Sequence, residues 1–307
     1  MNVAITGTSG FIGDHLSAMI VKMGHNVIYI NRKQSHQAHK NYFTYEDFFS
    51  LRLNLKLDCF LHLASPNYDY DKTNSNDLEE GISILTDRIL SVLGDYNCKK
   101  FIFFSSAKIY GEPSIDLQEI FYENTTPEPV SDYGKQKLKT EKIIVSHSNI
   151  HNLEYLIYRM PMVYGIGSNS NINNLLKFIE KSFPFILFKK TSHLMKSVIS
   201  IENIKMYIKH NIQNLDSINN NIFNITDKKN ICLNEFITMH IRQSRSKTKI
   251  IFMPYFFLGL LVKTPLLGVY FSKLFGQFAI SNKKVNDAYK ISVKDTKICI
   301  AEINNAR

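Results

Sequence analysis

The chain holds only four cysteines, Cys59, Cys98, Cys232 and Cys299, far apart and without a CxxC pair. Zinc ribbons and disulfide frameworks need clustered or regularly spaced thiols, so both are excluded and a reducing, cytoplasmic compartment is expected. An HExxH pair and a dense His/carboxylate cluster are also lacking. The ten histidines, among them His36 and His39 in a polar crossover and His147 and His151 around a helix end, therefore read as solvated, and no metal is expected. His62, set inside an apolar strand, reads as a core histidine with its hydrogen bonds satisfied. The first residues, Met1-Asn2-Val3-Ala4-Ile5-Thr6, read at once as a strand, so no secretory signal is expected.

A bilayer span needs about 20 consecutive apolar residues. The richest stretch, Ile250 to Phe278, is broken by Pro254, Lys263, Pro265, Gly268 and Lys273, so no membrane span is expected. Buried helices of a second lobe are the preferred reading there, over a membrane-surface patch. Acidic residues are scarce beside basic ones, 27 against 37, for a net charge of +10. A basic surface attracts polyanions. The lysines are nevertheless spread without a long block or aromatic interleaving, and no nucleic-acid partner is expected.

What is present is ordinary globular material, 44% hydrophobic and 21% charged over 307 residues, enough for a large core. Strand-like and helix-like segments alternate through the first half. They run Val3 to Thr6, a helix from Phe11 to Met23, Asn26 to Ile30, Cys59 to Leu63 and a helix near Leu78 to Leu93. Phe101 to Phe104, a helix near Tyr133 to Ser146 and Tyr155 to Arg159 follow. Continuous apolar strands joined by helices predict an α/β fold, a doubly wound parallel sheet covered on both faces. Between Ile30 and Cys59 the crossover is polar, which predicts a short or distorted element. The pattern becomes more helical after Gly165, which predicts residues 1–165 as one domain. Residues 166–307 are then a smaller, mostly helical lobe, with some later segments returning to the sheet.

The strand Val3 to Thr6 runs straight into Thr6-Gly7-Thr8-Ser9-Gly10-Phe11-Ile12-Gly13 and then a helix. Gly7 permits a tight turn, Gly10 lets the backbone approach a pyrophosphate, and Gly13 lets the helix pack close to the strand, with the helix N-terminus facing the anion. This is the signature of a Rossmann-type dinucleotide site, NAD or NADP. At the end of the second strand, where a carboxylate would bind ribose hydroxyls, stands Asn31-Arg32-Lys33. Without that carboxylate a 2′-phosphate is not repelled, and two cations are at hand, so NADP(H) is favoured over NAD(H).

A second constellation is Tyr133-Gly134-Lys135-Gln136-Lys137, preceded by Phe103-Phe104-Ser105-Ser106 at the end of an apolar strand. Tyrosine and lysine at i and i+4 share a helix face, so the ammonium favours the phenolate. A phenol with pKa near 10 is a poor acid or base at neutral pH, and a neighbouring cation brings it into range. Ser106 would hydrogen-bond the reacting oxygen.

With Leu61-His62-Leu63-Ala64-Ser65 and Arg159-Met160-Pro161-Met162-Val163-Tyr164-Gly165 added, the chain resembles the extended short-chain dehydrogenase/reductase family along nearly its whole length. That family comprises epimerases, dehydratases and ketoreductases of nucleotide sugars. The resemblance implies that Ser106, Tyr133 and Lys137 are catalytic. It also implies that Gly7, Gly10, Phe11, Ile12, Gly13, Asn31, Arg32, Leu63, Ala64, Ser65, Pro161 and Val163 contact the cofactor together with Tyr133 and Lys137. Ser105-Ser106-Ala107-Lys108-Ile109-Tyr110-Gly111-Glu112 is similar to a bacterial polysaccharide subgroup of 4-epimerases and 4-ketoreductases, and Lys108 points there. Lys108, Asn171 and Lys196 fall where relatives meet substrate. Lys196 stands where many have arginine, replacing a bidentate fork by a point charge. Met162 replaces an asparagine of galactose epimerases, which argues mildly against a strict UDP-galactose role, and Gly81 replaces a helical asparagine with no evident meaning. The resemblance further implies a homodimer through the Tyr133 helix.

The first reading is thus an NADPH-dependent 4-ketoreductase of a nucleotide-linked 4-keto-6-deoxyhexose, serving surface polysaccharide. A 4-epimerase using the same residues is the alternative. A 4,6-dehydratase is disfavoured because Ala107 and Lys108 stand where its acid pair would be. A cofactor sensor without catalysis is the reading from another class, disfavoured by the intact Ser106, Tyr133 and Lys137.

Overall fold

The computed structural model describes residues 1–32, 41–51, 54–65, 75–116, 119–168, 171–181, 183–265 and 267–305. Lys33, His36 and His39 lie outside the described residues.

In chain order the elements begin with β1 (Asn2–Thr6), α1 (Phe11–Lys22), β2 (Asn26–Asn31), β3 (Tyr42–Thr44), α2 (Tyr45–Phe49) and β4 (Cys59–His62). Next come α3 (Ser75–Val92), β5 (Lys100–Ser106), a 3-10 turn (Ala107–Tyr110), β6 (Ile120–Phe121), α4 (Asp132–His151), β7 (Glu154–Met160) and β8 (Met162–Tyr164). The chain continues through α5 (Asn171–Glu180), β9 (Phe185–Phe188), β10 (Met195–Lys196), β11 (Val198–Ser200), α6 (Ile201–Gln213) and β12 (Asn221–Asn224). It closes with β13 (Ile231–Cys232), α7 (Leu233–Ser244), β14 (Ile250–Met253), α8 (Tyr255–Leu261), α9 (Gly268–Phe275), β15 (Ala279–Ile280), α10 (Lys283–Tyr289) and α11 (Thr296–Asn305).

Two compact units result. The first comprises residues 1–109, 127–159 and 205–223, the second 110–126, 160–204 and 224–307. Residues 110–126 and 160–165, expected in the first domain, group with the second unit, and 205–223, expected in the lobe, group with the first.

The first unit carries a seven-stranded sheet in the order β12-β7-β5-β4-β1-β2-β3. β1 lies between β2 and β4, parallel to both, with Ile5 in register with Tyr29 on one side and Leu61 on the other. β4 is buried along its whole length and β5 at all but its first residue, as strands covered on both faces must be. Ile28, Phe60, Phe101 and Ile157 from the sheet share a core with Phe48, Ile82, Ile89 and Ile144 from the helices. β12, late in the chain, takes one edge of the sheet. The polar crossover after β2 holds a one-turn helix because Thr44 and Asp47 form a capping box. The Thr44 hydroxyl accepts from the Asp47 amide at 3.1 Å, and the Thr44 amide donates to the Asp47 carboxylate at 3.0 Å.

The second unit combines helices with four two-stranded ribbons, β8–β11, β9–β14, β10–β13 and β6–β15. Buried Asp227 ties it together, accepting from the Tyr164 hydroxyl at 2.5 Å, the Ser200 amide at 2.9 Å, Asn203 Nδ2 at 2.7 Å and the Thr296 hydroxyl at 2.9 Å. The expectation of buried helices over 250–278 needs correction. Leu258, Gly268 and Phe275 are buried, but Phe256, Leu260, Val269 and Tyr270 are exposed, because α8 and α9 each bury one side only. Among the described residues no helix is long and apolar enough to cross a membrane, and no cluster of three metal-ligating side chains occurs. All four cysteines are buried and unpaired.

Candidate active site

β1 delivers the chain into a turn that only glycine tolerates. Gly7 adopts φ +72°, and a Cβ there would sit 2.8 Å from the Ala64 amide nitrogen at the end of β4. A Cβ on Gly13 would sit 2.3 Å from the Gly7 carbonyl oxygen, so α1 seats directly on the turn. Gly10 caps α1 without a side chain, leaving the first amides of the helix, those of Phe11, Ile12 and Gly13, without a side-chain cap. Thr8 Oγ1 donates to Asn31 Oδ1 at 3.1 Å, which brings the end of β2 against the same turn. Arg32 beside it is exposed.

A chain of hydrogen bonds fixes the mouth of β4. The Thr86 hydroxyl donates to the Ile82 carbonyl at 2.7 Å, so it accepts from His62 Nε2–H at 3.0 Å. His62 Nδ1 is then the acceptor for the Thr6 hydroxyl at 2.7 Å, and Thr6 Oγ1 accepts in turn from the Leu63 and Ala64 amides, each at 3.2 Å. Only the neutral imidazole satisfies this chain, and burial, reinforced by the Lys137 charge, pushes the His62 pKa down to about 3. His62 is thus the satisfied core histidine expected. Beyond it, Ser65 Oγ is enclosed with no partner among the described residues. A glycine cradle at a helix N-terminus and an enclosed hydroxyl without a partner at the adjacent strand end both suit a dinucleotide.

Three of the candidate residues lie at the end of β5 and in the first turns of α4. Ser106 is the last residue of β5, and its Oγ accepts from the Lys108 amide at 3.2 Å, leaving its own O–H as the proton it can offer. Tyr133 stands in the first turn of α4, which Ser131 caps by accepting from the Gly134 amide. Gly134 is needed there, since a Cβ would lie 2.6 Å from the Lys108 carbonyl oxygen. Lys137, one turn on, is 2% exposed. Its Nζ donates to the Phe104 carbonyl at 2.8 Å and lies 4.6 Å from the Phe103 ring centre and 5.7 Å from that of Tyr133. Burial lowers the Lys137 pKa to about 7, against the opposing pull of Glu141. A proton is therefore held only weakly on Nζ at neutral pH.

Glu141 continues the ladder one turn further. It receives the Ser105 hydroxyl at 2.5 Å and the Arg159 guanidinium, with Nη2 to Oε2 at 2.7 Å, and all three side chains are buried. Sequence reasoning missed this triad and the Thr6–His62–Thr86 chain. The i+4 spacing of Tyr133, Lys137 and Glu141 was the available signal for the first, and a histidine inside an apolar strand for the second.

Of the remaining candidates, all but Lys108 belong to the second unit. Pro161, just before β8, and Val163, in its middle, are half-buried, and Asn171 opens α5. Lys196 is buried in β10, its Nζ donating to the Lys273 carbonyl at 3.1 Å. Lys108 is half-buried on the 3-10 turn of the first unit.

The profile of the NAD dependent epimerase/dehydratase family matches residues 3–196, which takes in the glycine turn and the Ser106, Tyr133 and Lys137 set. The chain belongs to this family. Among its curated relatives, UDP-glucose 4-epimerase of Vibrio cholerae is 32% identical over 110 residues, covering 36% of this chain and 33% of that protein. UDP-glucose 4-epimerase of Yersinia enterocolitica is 29% identical over 212 residues, 58% and 61% of the two chains. The chain thus matches between a third and three fifths of the length of these two relatives. Solved structures extend the likeness to the whole fold. UDP-N-acetylglucosamine 4-epimerase from Bacillus cereus superimposes with TM-score 0.77 at 18% identity, covering 100% of this chain and 99% of that one. For UDP-glucuronic acid 4-epimerase from Bacillus cereus in complex with NAD the score is 0.73 at 18% identity, covering 99% and 98%. At such identities the fold alone is established. Family membership supports a nicotinamide dinucleotide of the NAD type and lends nothing to the NADP preference read from Asn31, Arg32 and Lys33.

Proposed function

We propose that this protein interconverts the C4 epimers of a UDP-linked sugar with NAD held at the glycine turn. The observation that carries the reading is the placement of Tyr133, Lys137 and Ser106 at one junction of β5 and α4, in the unit that bears the Gly7 turn. Tyr133 takes the proton from the C4 hydroxyl and later returns it, while the Ser106 O–H bonds the same oxygen. Lys137, poised near neutrality, lowers the cost of the phenolate. The dinucleotide, when bound, supplies reversible hydride exchange at C4. Gly10, Phe11, Ile12 and Gly13 would hold its pyrophosphate, and Leu63, Ala64 and Ser65 its nicotinamide side.

The first unit is taken as the dinucleotide domain and the second as the lobe that binds the sugar nucleotide, with Asn171 and Lys196 assigned to the diphosphate. A homodimer through α4 belongs to the same reading. The 4-epimerase names of the curated relatives favour epimerisation over the ketoreductase put first from sequence. The absence of a carboxylate at the end of β2 keeps the NADPH-dependent ketoreductase as a second reading.

The test is incubation with UDP-glucose or UDP-N-acetylglucosamine without added cofactor, followed by proton NMR at C4, together with assay of dinucleotide released on denaturation. Conversion to the 4-epimer with released NAD supports the proposal. Reduction of a 4-keto sugar by added NADPH, with no epimerisation and nothing released, moves the reading to the reductase.

A further inference from the structure

Between Glu235 and Asp287 the chain contains no acidic residue and eight lysines and arginines. Lys247, Lys249 and Lys263 among them are exposed. The same stretch exposes apolar side chains that have nothing to cover them within the second unit. Ile251, Phe252, Phe256, Leu260, Val269 and Tyr270 are between 47% and 64% exposed. All five exposed phenylalanines among the described residues lie in this unit, from Phe178 to Phe257. Single exposed apolar residues are normal, but a concentration of this kind marks a surface that meets something.

The elements that carry these residues are neighbours. β14 pairs with β9 so that Ile251 is in register with Ile186, itself 47% exposed, and the two side chains share a face of the ribbon. α8 buries Leu258 and turns Phe256 and Leu260 outward, one turn apart. On α9, Val269 and Tyr270 are exposed while Gly268 and Phe275 are buried.

The charge pattern selects the occupant. A second copy of the same face would set two stretches that are cationic and acid-free from 236 to 286 against one another and be repelled. Exposed aromatic and aliphatic side chains, together with exposed Lys247, Lys249 and Lys263 on a stretch without a carboxylate from 236 to 286, suit the interface of a bilayer with anionic headgroups, where rings sit at headgroup depth and lysine stems reach back to phosphate. We propose that the β9–β14, α8 and α9 face docks the protein reversibly onto an anionic lipid surface. The docking is in-plane, since among the described residues no helix is long and apolar enough to cross. This inference is independent of the reaction proposed above.

Vesicles of phosphatidylcholine alone and vesicles with about 30% phosphatidylglycerol, sedimented with the full-length protein at low salt, test it. The expected result is at least about tenfold stronger partition to the anionic vesicles, reversed by about 0.5 M NaCl. Two variants should each lower that partition about tenfold while keeping the wild-type circular dichroism spectrum: F256S/L260S, which removes apolar contact, and K247E/K249E/K263E, which reverses charge without touching the core. Equal partition to the two vesicle types overturns the proposal. So does unchanged binding by both variants, or a protein dimer that F256S/L260S dissolves in the absence of lipid binding.

Discussion

Lys137→Met separates what this lysine does for the reaction from what it does to the fold. Met keeps the stem and removes the ammonium, whose pKa burial lowers from 10.5 to about 7. At 1.36 kcal/mol per unit of pKa, that span corresponds to about 5 kcal/mol. The unfolded chain keeps this proton up to pH 10.5 and the folded one releases it near 7, so the unfolded state binds more protons in between and stability rises with pH. Below pH 7 the full penalty is present, and above 10.5 it has gone. The variant also strips the Phe104 carbonyl of its donor, which costs about 1–3 kcal/mol at every pH. Lys137→Met is therefore expected to be more stable than wild type by about 2–4 kcal/mol at pH 6, and less stable at pH 10.5 by about the value of the lost hydrogen bond. Melting both dinucleotide-stripped proteins by circular dichroism from pH 6 to 10.5 reads the crossing directly, and turnover should be lost throughout. A melting difference that does not move with pH, or a variant less stable at pH 6, would refute the electrostatic reasoning.

Glu141→Ala leaves the Arg159 guanidinium buried without its carboxylate, and urea unfolding should show a loss of about 3–5 kcal/mol. His62→Val breaks the bonds to Thr6 and Thr86 and should cost about 1–3 kcal/mol near pH 7 while weakening NAD binding measured by calorimetry. Because His62 titrates near 3 when folded and 6.5 when unfolded, wild type should lose stability on acidification through that window, and the valine variant should lose less, as melts from pH 7 to 4 will show. Gly134→Ala places a methyl group 2.6 Å from the Lys108 carbonyl oxygen and should lower kcat at least about tenfold by shifting Tyr133, with binding of NAD retained.

The sheet and the Tyr133 site were legible because their signals are local. β1, the glycine turn and α1 are contiguous, continuous apolar runs fix buried strands, and Tyr133 and Lys137 are one helical turn apart. The second unit was not, since its ribbons join strands far apart in sequence, such as Ile186 with Ile251 and Ile120 with Ala279, and no local pattern encodes such pairing. The grouping of 110–126 with residues beyond 160 is hidden for the same reason. The helices of 250–278 misled in another way, because a composition rich in Phe and Leu does not distinguish a side that is buried from one that is presented outward. The cofactor preference read from Asn31-Arg32-Lys33 rested on a missing carboxylate and two cations, and the structure adds only that the Asn31 side chain is engaged by Thr8.

The most direct test of the account is Tyr133→Phe assayed beside wild type for epimerisation of a UDP-sugar at C4, with bound NAD quantified in both. Proton exchange through the phenol predicts that the variant retains its NAD and loses conversion by at least about a hundredfold. Undiminished conversion by Tyr133→Phe would contradict the account.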